Sequence, residues 1–303
     1  MSSVFASTAS AWSARPGDSH DVFLAQLVDP KPGRHGIGLF GVPYDGAVLG
    51  RTGAREGPDA IRAQLAKLKI GDFHKPVFDF GNVRVPHGSV DAAHQATESG
   101  ALEVLAAGCI PVTLGGDHSL TFPLVKAHEG RRQKLGVINL DAHLDIRDFT
   151  GAPNSGTSFG RLIELGLVPG EKLVEVGLRP FANAAAYEEK ARKAGITMID
   201  ADAWLDDPHA TIQRAIDVAS RGTEGIYLSV DMDVLDQAHA PGVSAPTPGG
   251  IDSATLLRAI RQIAASGKLV GADFMEVAPP LDREGMTSRA AAYAVATLIT
   301  ELR

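Results

Sequence analysis

Short apolar runs alternate with longer amphipathic segments along most of the chain. Two of the runs, Leu135–Leu140 and Ile226–Val230, are almost uninterrupted, which is typical of strands buried on both faces of a parallel sheet. Eight strands are predicted on this basis: Gly36–Gly41, Val77–Phe80, Ile110–Leu114, Leu135–Leu140, Leu173–Gly177, Ile196–Ile199, Gly225–Val230 and Leu269–Phe274.

The segments between these runs predict helices. Gly57 and Pro58 open one of them, because proline is favoured at the first helical position, and Ile61, Leu65 and Leu68 then share one face. The other predicted helices are Val90–Ala107, Gly156–Leu165, Asn183–Ala194, Pro208–Ser220, Asp252–Ala265 and Met286–Leu302. Strands that alternate with helices indicate an α/β fold with a mostly parallel sheet and right-handed crossovers.

The composition fits a single large domain. The chain has 303 residues, of which 44% are hydrophobic and 21% charged, so it buries a core without needing disulfides. We find no linker or repeat, and expect one catalytic domain over residues 34–303. Residues 1–33, rich in Ser, Ala and Pro and without the apolar run of a secretory signal, predict an arm that packs on this domain or on a neighbouring subunit.

Net charge, hydropathy and cysteine content limit the partners and the compartment that we expect for the protein. The net charge is −7 and the pI is about 5.8, which argues against a nucleic-acid partner. No stretch reaches the roughly 18 apolar residues of a membrane span, so we expect no membrane partner. The single cysteine, Cys109, fits a reducing cytoplasm. The segment Gly36–Gly41 matches G-x-G-x-x-G, but its glycines lie inside a predicted strand, which argues against a nucleotide site.

Carboxylate and imidazole side chains follow three of the predicted strands, where each strand ends. There are six of them: His118, Asp141, His143, Asp145, Asp231 and Asp233. Residues two apart in an extended chain project to the same side, and chemistry in parallel sheets gathers at the carboxyl ends of the strands. Each motif alone is also typical of a turn or a helix cap. Their coincidence at the ends of strands of one sheet favours a metal site.

Four converging carboxylates would repel one another unless cations lay between them. Two imidazoles with four carboxylates suit Mn²⁺, with Fe, Co or Ni as competitors, rather than structural zinc. Six protein ligands exceed what one catalytic ion needs. We therefore expect two ions about 3.5–4 Å apart, sharing a water that they convert to hydroxide near neutral pH.

Further charged residues predict how a substrate is held. Glu276 ends the strand that begins at Leu269, and a carboxylate there is well placed to bind a cationic substrate head. Asp273, inside the same strand, is predicted to be a buried hydrogen-bonding group. Arg147 and Arg179 are candidates for binding a substrate carboxylate bidentately, and structural ion pairs are the alternative for both.

These motifs resemble the ureohydrolase superfamily, which contains arginase, agmatinase, guanidino-acid hydrolases and formimidoylglutamase. Gly-Gly-Asp-His-Ser, Asp-Ala-His-x-Asp, Ser-x-Asp-x-Asp-x-Leu-Asp and a late Glu-Val-x-Pro occur in the order of the family. The resemblance implies a three-layer α/β/α fold with a mostly parallel central sheet, two Mn²⁺ per subunit, and a homo-trimer or homo-hexamer.

The resemblance also assigns roles to the residues of the motifs. It implies one ion held by His118, Asp141, Asp145 and Asp231, and a second held by Asp141, His143, Asp231 and Asp233. Asp145 would also orient the nucleophile, and Glu276 would contact the guanidinium or amidinium of the substrate.

The loop after the Asp-Ala-His-x-Asp motif bears on the substrate. It contains Asn154, Ser155 and Ser158, and no histidine occurs between His143 and His209, where arginases and agmatinases usually place one. The loop resembles the Ser-Gly-Thr-Pro-Phe of formimidoylglutamases, with Ser158 in place of the proline, and Asn154 and Ser155 are its candidate substrate contacts. Against this, Glu276-Val-Ala-Pro-Pro and Pro248-Gly-Gly resemble agmatinases.

The expected reaction is hydrolysis of N-formimidoyl-L-glutamate to L-glutamate and formamide, a step of histidine breakdown. Asp145 is the candidate for returning a proton to the leaving amine. The alternative within the superfamily is an agmatinase or guanidino-acid hydrolase that releases urea. The alternative from another class is a catalytically silent family member that acts as a binding or assembly subunit.

Overall fold

Helices and strands alternate along the chain as the hydrophobic pattern predicts. The structure, a computed structural model, describes residues 4–12, 20–71, 74–86, 88–129, 134–148 and 151–303. Within these ranges the strands are β1 (Phe5–Ala6), β2 (Val28–Asp29), β3 (Ile37–Gly41), β4 (Val77–Val83), β5 (Ile110–Leu114), β6 (Leu135–Leu140), β7 (Leu173–Leu178), β8 (Thr197–Asp200), β9 (Gly225–Asp231) and β10 (Leu269–Met275). All eight predicted strands are confirmed, and the short β1 and β2 are additional.

The predicted helices are also confirmed, with shifts at their ends. The described helices are α1 (Leu24–Leu27), α2 (Gly57–Leu65), α3 (Val90–Ala106), α4 (Thr121–Lys126), α5 (Ser158–Glu164), α6 (Ala185–Ala194), α7 (Ala201–Asp206), α8 (Pro208–Ser220), α9 (Ser253–Ala265) and α10 (Met286–Glu301). The pattern missed α1, α4 and α7, which have four to six residues and are too short to show a helical period. Helix α2 ends at Leu65, so the prediction that Leu68 continues its face was wrong.

The strands form one sheet with the order β1-β4-β3-β5-β10-β9-β6-β7-β8, and β2 also pairs with β4. All the described pairings are parallel except that of β1 with β4. The prediction of a mostly parallel α/β sheet is therefore confirmed.

Successive strand residues point into two different hydrophobic clusters. Leu39 and Ile138 pack with α2, α8, α9 and α10 on one face of the sheet, while Phe40 and Val137 pack with α3, α4, α5 and α6 on the other. This alternation produces three layers, with a core on each side of the sheet.

Gly38 of β3 allows helix α3 to pack closely against the sheet. A Cβ at this position would lie 2.4 Å from Cγ1 of Val104 in α3, so only glycine permits the close approach of this helix. The glycines of the G-x-G-x-x-G match therefore serve a strand that pairs with β4 on one side and β5 on the other.

Parts of the N-terminal arm join the sheet and the core. β1 pairs with β4, and the buried Trp12 donates its indole N–H to Asp79 at 2.6 Å. Residues 1–3 and 13–19 of the predicted arm lie outside the described residues. The domain boundary at residue 33 stays a prediction. None of the helices within the described ranges has the length and apolar character needed to cross a bilayer.

Four central strands end at the same level. Leu114 of β5, Phe274 of β10, Val230 of β9 and Leu140 of β6 form one row across the sheet. The residues that follow this row therefore emerge together at one edge, which places the three predicted motifs and Glu276 beside one another.

Candidate metal centre

The structure brings the six predicted side chains together in two adjoining groups. In the first group, Nδ1 of His118 lies 3.1 Å from Oδ2 of Asp141, 3.0 Å from Oδ2 of Asp145 and 3.2 Å from Oδ2 of Asp231. Nδ1 makes no well-oriented hydrogen bond to any of these oxygens. A buried nitrogen surrounded by carboxylate oxygens without such a bond is the donor set of a metal ion.

The second group lies on the other side of Asp141. Nδ1 of His143 is 3.0 Å from Oδ2 of Asp233 and 3.5 Å from Oδ1 of Asp141. The two oxygens of Asp141 thus face different imidazoles. The ligand atoms of His118, Asp141 and Asp145 lie within 4.8 Å of one another, and so do those of Asp141, His143 and Asp233. Asp231 lies beside His118, while its Oδ1 accepts the backbone N–H of Asp233 at 2.8 Å.

The carboxylates of the cluster favour the protonated, positively charged form of the two imidazoles. Burial lowers the pKa of His143, but Asp233 and Asp141 raise it to about 12. Burial also lowers the pKa of His118, but the neighbouring carboxylates of Asp141, Asp145 and Asp231 raise it well above its usual value. Burial and the neighbouring charges of Asp233 and Asp141 raise the pKa of Asp231. The cluster therefore favours positive charge at both imidazoles, which suits divalent cations.

Two residues of the site have a backbone conformation that is rare for side chains with a Cβ. The φ angles are 45° at Asp145 and 67° at Glu276. Such left-handed residues cost on the order of 1–3 kcal/mol each and persist where the surroundings hold them. The turns after β6 and β10 thus aim these two carboxylates into the site.

The two carboxylate oxygens of Glu276 differ in their hydrogen bonding. Oε1 accepts the backbone N–H of His118 at 2.7 Å, the hydroxyl of Ser244 lies near the carboxylate, and the buried Oε2 makes no well-oriented hydrogen bond with the described residues. Burial and the nearby Asp117 raise the pKa of Glu276 to about 8. A cation beside Oε2 would stabilise the ionised form of Glu276, because a positive neighbour favours the charged carboxylate.

A cavity of about 230 Å³ opens onto the two groups. Its walls include His118, His143, Asp145, Asp231, Asp233 and Glu276, together with Leu49, Arg147, Ser155, Asn183 and Tyr187. The predicted metal ligands therefore adjoin a space that can admit a small molecule.

Arg147 lies at this cavity as predicted. Its side chain is exposed, and the guanidinium lies 5.8 Å from the ring centre of Tyr187. It makes no ion pair with the residues that the structure describes. Ser155 also lines the cavity, but its Oγ accepts the backbone N–H of Leu49 at 3.1 Å, which ties two loops of the mouth together.

The expectation that Arg179 binds a substrate carboxylate was wrong. Arg179 does not line the cavity, and its buried guanidinium donates to the backbone carbonyls of Gly177, Val234 and, at 3.1 Å, Asp233. It fixes the turn that carries Asp233 relative to the end of β7. Its position at a strand end suggested a binding role, but its partners depend on the packing of β7 against the β9 loop.

Asn154 also differs from its predicted role. Its Oδ1 accepts the backbone N–H of Gly156 at 3.1 Å, and the residue caps the helical turn before α5 rather than lining the cavity. An Asn at such a position satisfies an otherwise free N–H of the helix.

Two polar residues outside the sequence motifs, the buried Asn139 and the half-buried Asn183, support the segment that carries Asp141, His143 and Asp145. Asn139 donates to Asp141 Oδ2 at 3.1 Å and to Glu175 at 2.7 Å. Asn183 accepts the backbone N–H of Leu144 at 2.9 Å. A polar residue inside an otherwise apolar strand, such as Asn139 in β6, is the sequence signal that could have revealed the first of them.

Comparison with known proteins identifies the family. The model of the arginase family matches residues 35–300. This chain belongs to the arginase family. The resemblance to the ureohydrolase superfamily that the motifs predict is thereby confirmed.

Relatives within the arginase family are similar over almost the whole chain. The formimidoylglutamase of Halobacterium salinarum is 38% identical, over 95% of this chain and 96% of that protein. The solved formimidoylglutamase of Bacillus subtilis has a TM-score of 0.90 at 30% identity and covers 95% of this chain and 94% of its own. The formiminoglutamase of Trypanosoma cruzi, solved with Mn²⁺, has a TM-score of 0.84 at 25% identity, over 93% and 98% of the chains.

Proposed function

We propose that this protein is a formimidoylglutamase, which hydrolyses N-formimidoyl-L-glutamate to L-glutamate and formamide. The observation that carries the proposal is one cavity lined both by Glu276, whose buried Oε2 makes no well-oriented hydrogen bond with the described residues, and by the exposed Arg147. Formimidoylglutamate has the complementary charges, a cationic amidine at one end and carboxylates at the other. Similarity to formimidoylglutamases over almost the full chain supports the same function.

We propose two Mn²⁺ as cofactors. His118, Asp145 and Asp231 would hold one ion and His143 and Asp233 the other, with Asp141 between them, as the donor groups and the distances around each imidazole support. When bound, the ions make water reactive toward a planar amidine carbon.

The residues of the chain then bind and orient the reactants. Oε2 of Glu276 binds the cationic nitrogen of the amidine and so holds its carbon beside the cluster. Among the carboxylate ligands, Asp145 has the most exposed side chain, at 12%, against 4% for Asp231 and 2% for Asp233. Its carboxylate orients the attacking water and takes up a proton. The new bond joins the water oxygen to the amidine carbon, and the bond from this carbon to the glutamate nitrogen breaks as Asp145 returns the proton to that nitrogen. The second proton of the water leaves the new carbonyl oxygen and completes the ammonium group of glutamate.

Arg147 would select the tail of the substrate. Its planar guanidinium can bind a carboxylate with two parallel hydrogen bonds. Agmatine has no carboxylate and would gain nothing from this arginine. Guanidino acids have one, so they are the competing substrates that an experiment must include.

Product analysis tests this function directly. The Mn²⁺-loaded protein should release formamide from formimidoylglutamate and little or no urea from agmatine or guanidinobutyrate. Urea from either compound, with no formamide from formimidoylglutamate, would identify a guanidine hydrolase instead. A protein that retains no transition metal and converts none of the three would be a silent binding or assembly subunit.

A variant at the mouth of the cavity tests how the tail is recognised. Arg147→Met should lower kcat/KM for formimidoylglutamate by about 10- to 100-fold, because it removes a charge-assisted pair of hydrogen bonds. Arg214→Met, at an exposed position of α8, is the matched control and should leave kcat/KM unchanged. Equal rates for the two variants would refute the role of Arg147 without affecting the reaction assigned above.

A further inference from the structure

A buried hydroxyl group contacts the ring of His118 on the side away from the cluster. Oγ of Ser229 lies 2.9 Å from Nε2 of His118 and donates a hydrogen bond of 2.6 Å to Oδ1 of Asp273. The three side chains are at most 1% exposed. Ser229 and Asp273 are register partners on β9 and β10, so the pairing of two central strands places them together.

Asp273 accepts hydrogen bonds from three hydroxyl groups on two elements, β9 and α4. Besides Ser229, Tyr227 donates to its Oδ2 at 2.9 Å and Thr121 donates to the same oxygen at 3.0 Å. An ionised carboxylate accepts hydrogen bonds and donates none, so three converging hydroxyl donors match its ionised form. The arrangement also directs the single hydrogen of Ser229 toward Asp273.

The direction of the hydrogen bond from Ser229 to Asp273 determines whether the serine oxygen can donate to His118 or only accept from it. Because the Ser229 hydrogen is used on Asp273, the oxygen can only accept, and Nε2 of His118 must carry the hydrogen that it accepts. The lone pair of the neutral ring then lies on Nδ1. That atom is the one within 3.2 Å of the oxygens of Asp141, Asp145 and Asp231.

We propose that Asp273, acting through Ser229, is a positioning residue that fixes His118 in the tautomer protonated on Nε2 and so commits Nδ1 to a metal ion. The inference rests on the metal centre of the proposed function. Phe159 supports the same ring, because it packs edge-on against His118 with centroids 5.5 Å apart and planes at 83°. Asp273 thus determines which ring nitrogen of His118 binds the metal ion, and the contact with Phe159 fixes the plane of the imidazole ring.

Metal titration of matched variants tests the proposal. Ser229→Ala should weaken the binding of Mn²⁺, measured from the electron paramagnetic resonance signal of the free ion, by about 10- to 100-fold. Tyr227→Phe is the control, since it removes another donor to Asp273 from an equally buried position without contacting His118. Tyr227→Phe should leave the Mn²⁺ affinity within about twofold of the wild type. This is well short of the loss expected when a residue that hydrogen-bonds directly to a metal ligand is removed. Unchanged affinity in Ser229→Ala, or equal weakening in both variants, would overturn the proposal.

The tautomer of His118 can also be measured in the wild-type protein, so this test does not require that a variant folds. Nitrogen-15 spectra of histidine-labelled, Zn²⁺-loaded protein should show His118 with a hydrogen on Nε2 and none on Nδ1. A hydrogen on Nδ1 would overturn the proposal. A protein that binds Mn²⁺ and shows this tautomer but releases urea instead of formamide would refute the proposed substrate while supporting the role of Asp273.

Discussion

Glu276 is held by its neighbours through one oxygen only. The backbone N–H of His118 fixes Oε1, and the left-handed backbone at Glu276 directs the side chain into the cavity. The buried Oε2 has lost its water without gaining a well-oriented hydrogen bond from the described residues, which is costly for a carboxylate. In the proposed function a cationic substrate would offset this cost, so we expect the charge of Glu276 to contribute to substrate binding rather than to folding.

Glu276→Gln should therefore impair turnover without releasing metal. The amide keeps the shape and can still accept the His118 N–H, but it lacks the charge that pairs with an amidinium. We expect kcat/KM to fall by about 100-fold, the equivalent of one lost charged hydrogen bond. Steady-state kinetics and metal analysis of the same sample check this, and wild-type kcat/KM in the variant would contradict the role of Glu276.

Asp231 and the nearby His239 allow a paired test of the metal ligands. Asp231→Ala removes an oxygen that lies 3.2 Å from His118 Nδ1, and we expect the variant to lose both metal loading and turnover. His239 follows in the same loop but is exposed and lines a separate groove between α9 and α10. His239→Ala should keep its metal in elemental analysis after dialysis. Loss of metal from this control would mean that the loop as a whole, rather than Asp231, governs binding.

At the scale of elements, the N-terminal arm is joined to β4 by hydrogen bonds to Asp79, a carboxylate that also forms a buried ion pair with α2. Asp79 of β4 accepts two hydrogen bonds of 2.9 Å from the guanidinium of Arg62 in α2. Trp12 and Thr8 of the arm donate to the same carboxylate at 2.6 and 2.7 Å. Asp79 thus connects helix, strand and arm, and removing its charge leaves Arg62 buried without compensation.

The stability of this junction should depend on pH in the acid range. Burial raises the pKa of Asp79, but Arg62 and the other donors outweigh it and hold the pKa below the usual 3.8. The stabilisation is then complete above about pH 4 and is lost as the pH falls through the folded-state pKa. Urea denaturation of the metal-free protein from pH 5 downward should show this loss in the wild type and a weaker dependence on pH in Asp79→Asn.

Asp79→Asn should also lower the free energy of unfolding at pH 7, by about 3–5 kcal/mol. Asp59→Asn is the matched control, because Asp59 is exposed and lies 3.7 Å from the same arginine. We expect a change of less than about 1 kcal/mol for this surface pair. Similar losses in the two variants would show that the net charge, rather than the buried junction, controls the stability.

At the scale of the whole molecule, the central sheet assembles the site from distant segments. β5, β10, β9 and β6 are adjacent in the sheet but not in the sequence. Their common register brings residues from His118 to Glu276 to one edge, and the helices on both faces keep the strands buried. The site therefore depends on the complete fold and not on any one segment.

The surface of the subunit suggests assembly. Phe181 is fully exposed in a left-handed backbone conformation, and Leu165 is 61% exposed. We expect a homo-trimer or a homo-hexamer, as the family resemblance implies. Light scattering of the purified protein should give three or six times the 31.7 kDa of the chain. A mass of one chain at micromolar concentration would contradict this prediction.

The sequence alone indicated the main strands and longer helices and the candidate ligands. Apolar runs fix where strands form, and the ligands directly follow these runs, so their place at the strand ends follows from local pattern. The six candidate ligands, Glu276 and the eight main strands could be predicted for this reason. A single sequence also sufficed to recognise the family, because the motifs occur in a fixed order.

Only the tertiary structure decided what each side chain contacts. Arg179 and Asn154 have the residue types of substrate contacts, but packing directs them to backbone groups. Ser229 and Asp273 are 44 residues apart, and no local pattern pairs them before β9 and β10 lie side by side. Hydrophobic periodicity is a property of neighbours in sequence, whereas hydrogen-bond partners depend on strand order and register, which arise from the packing of the whole chain.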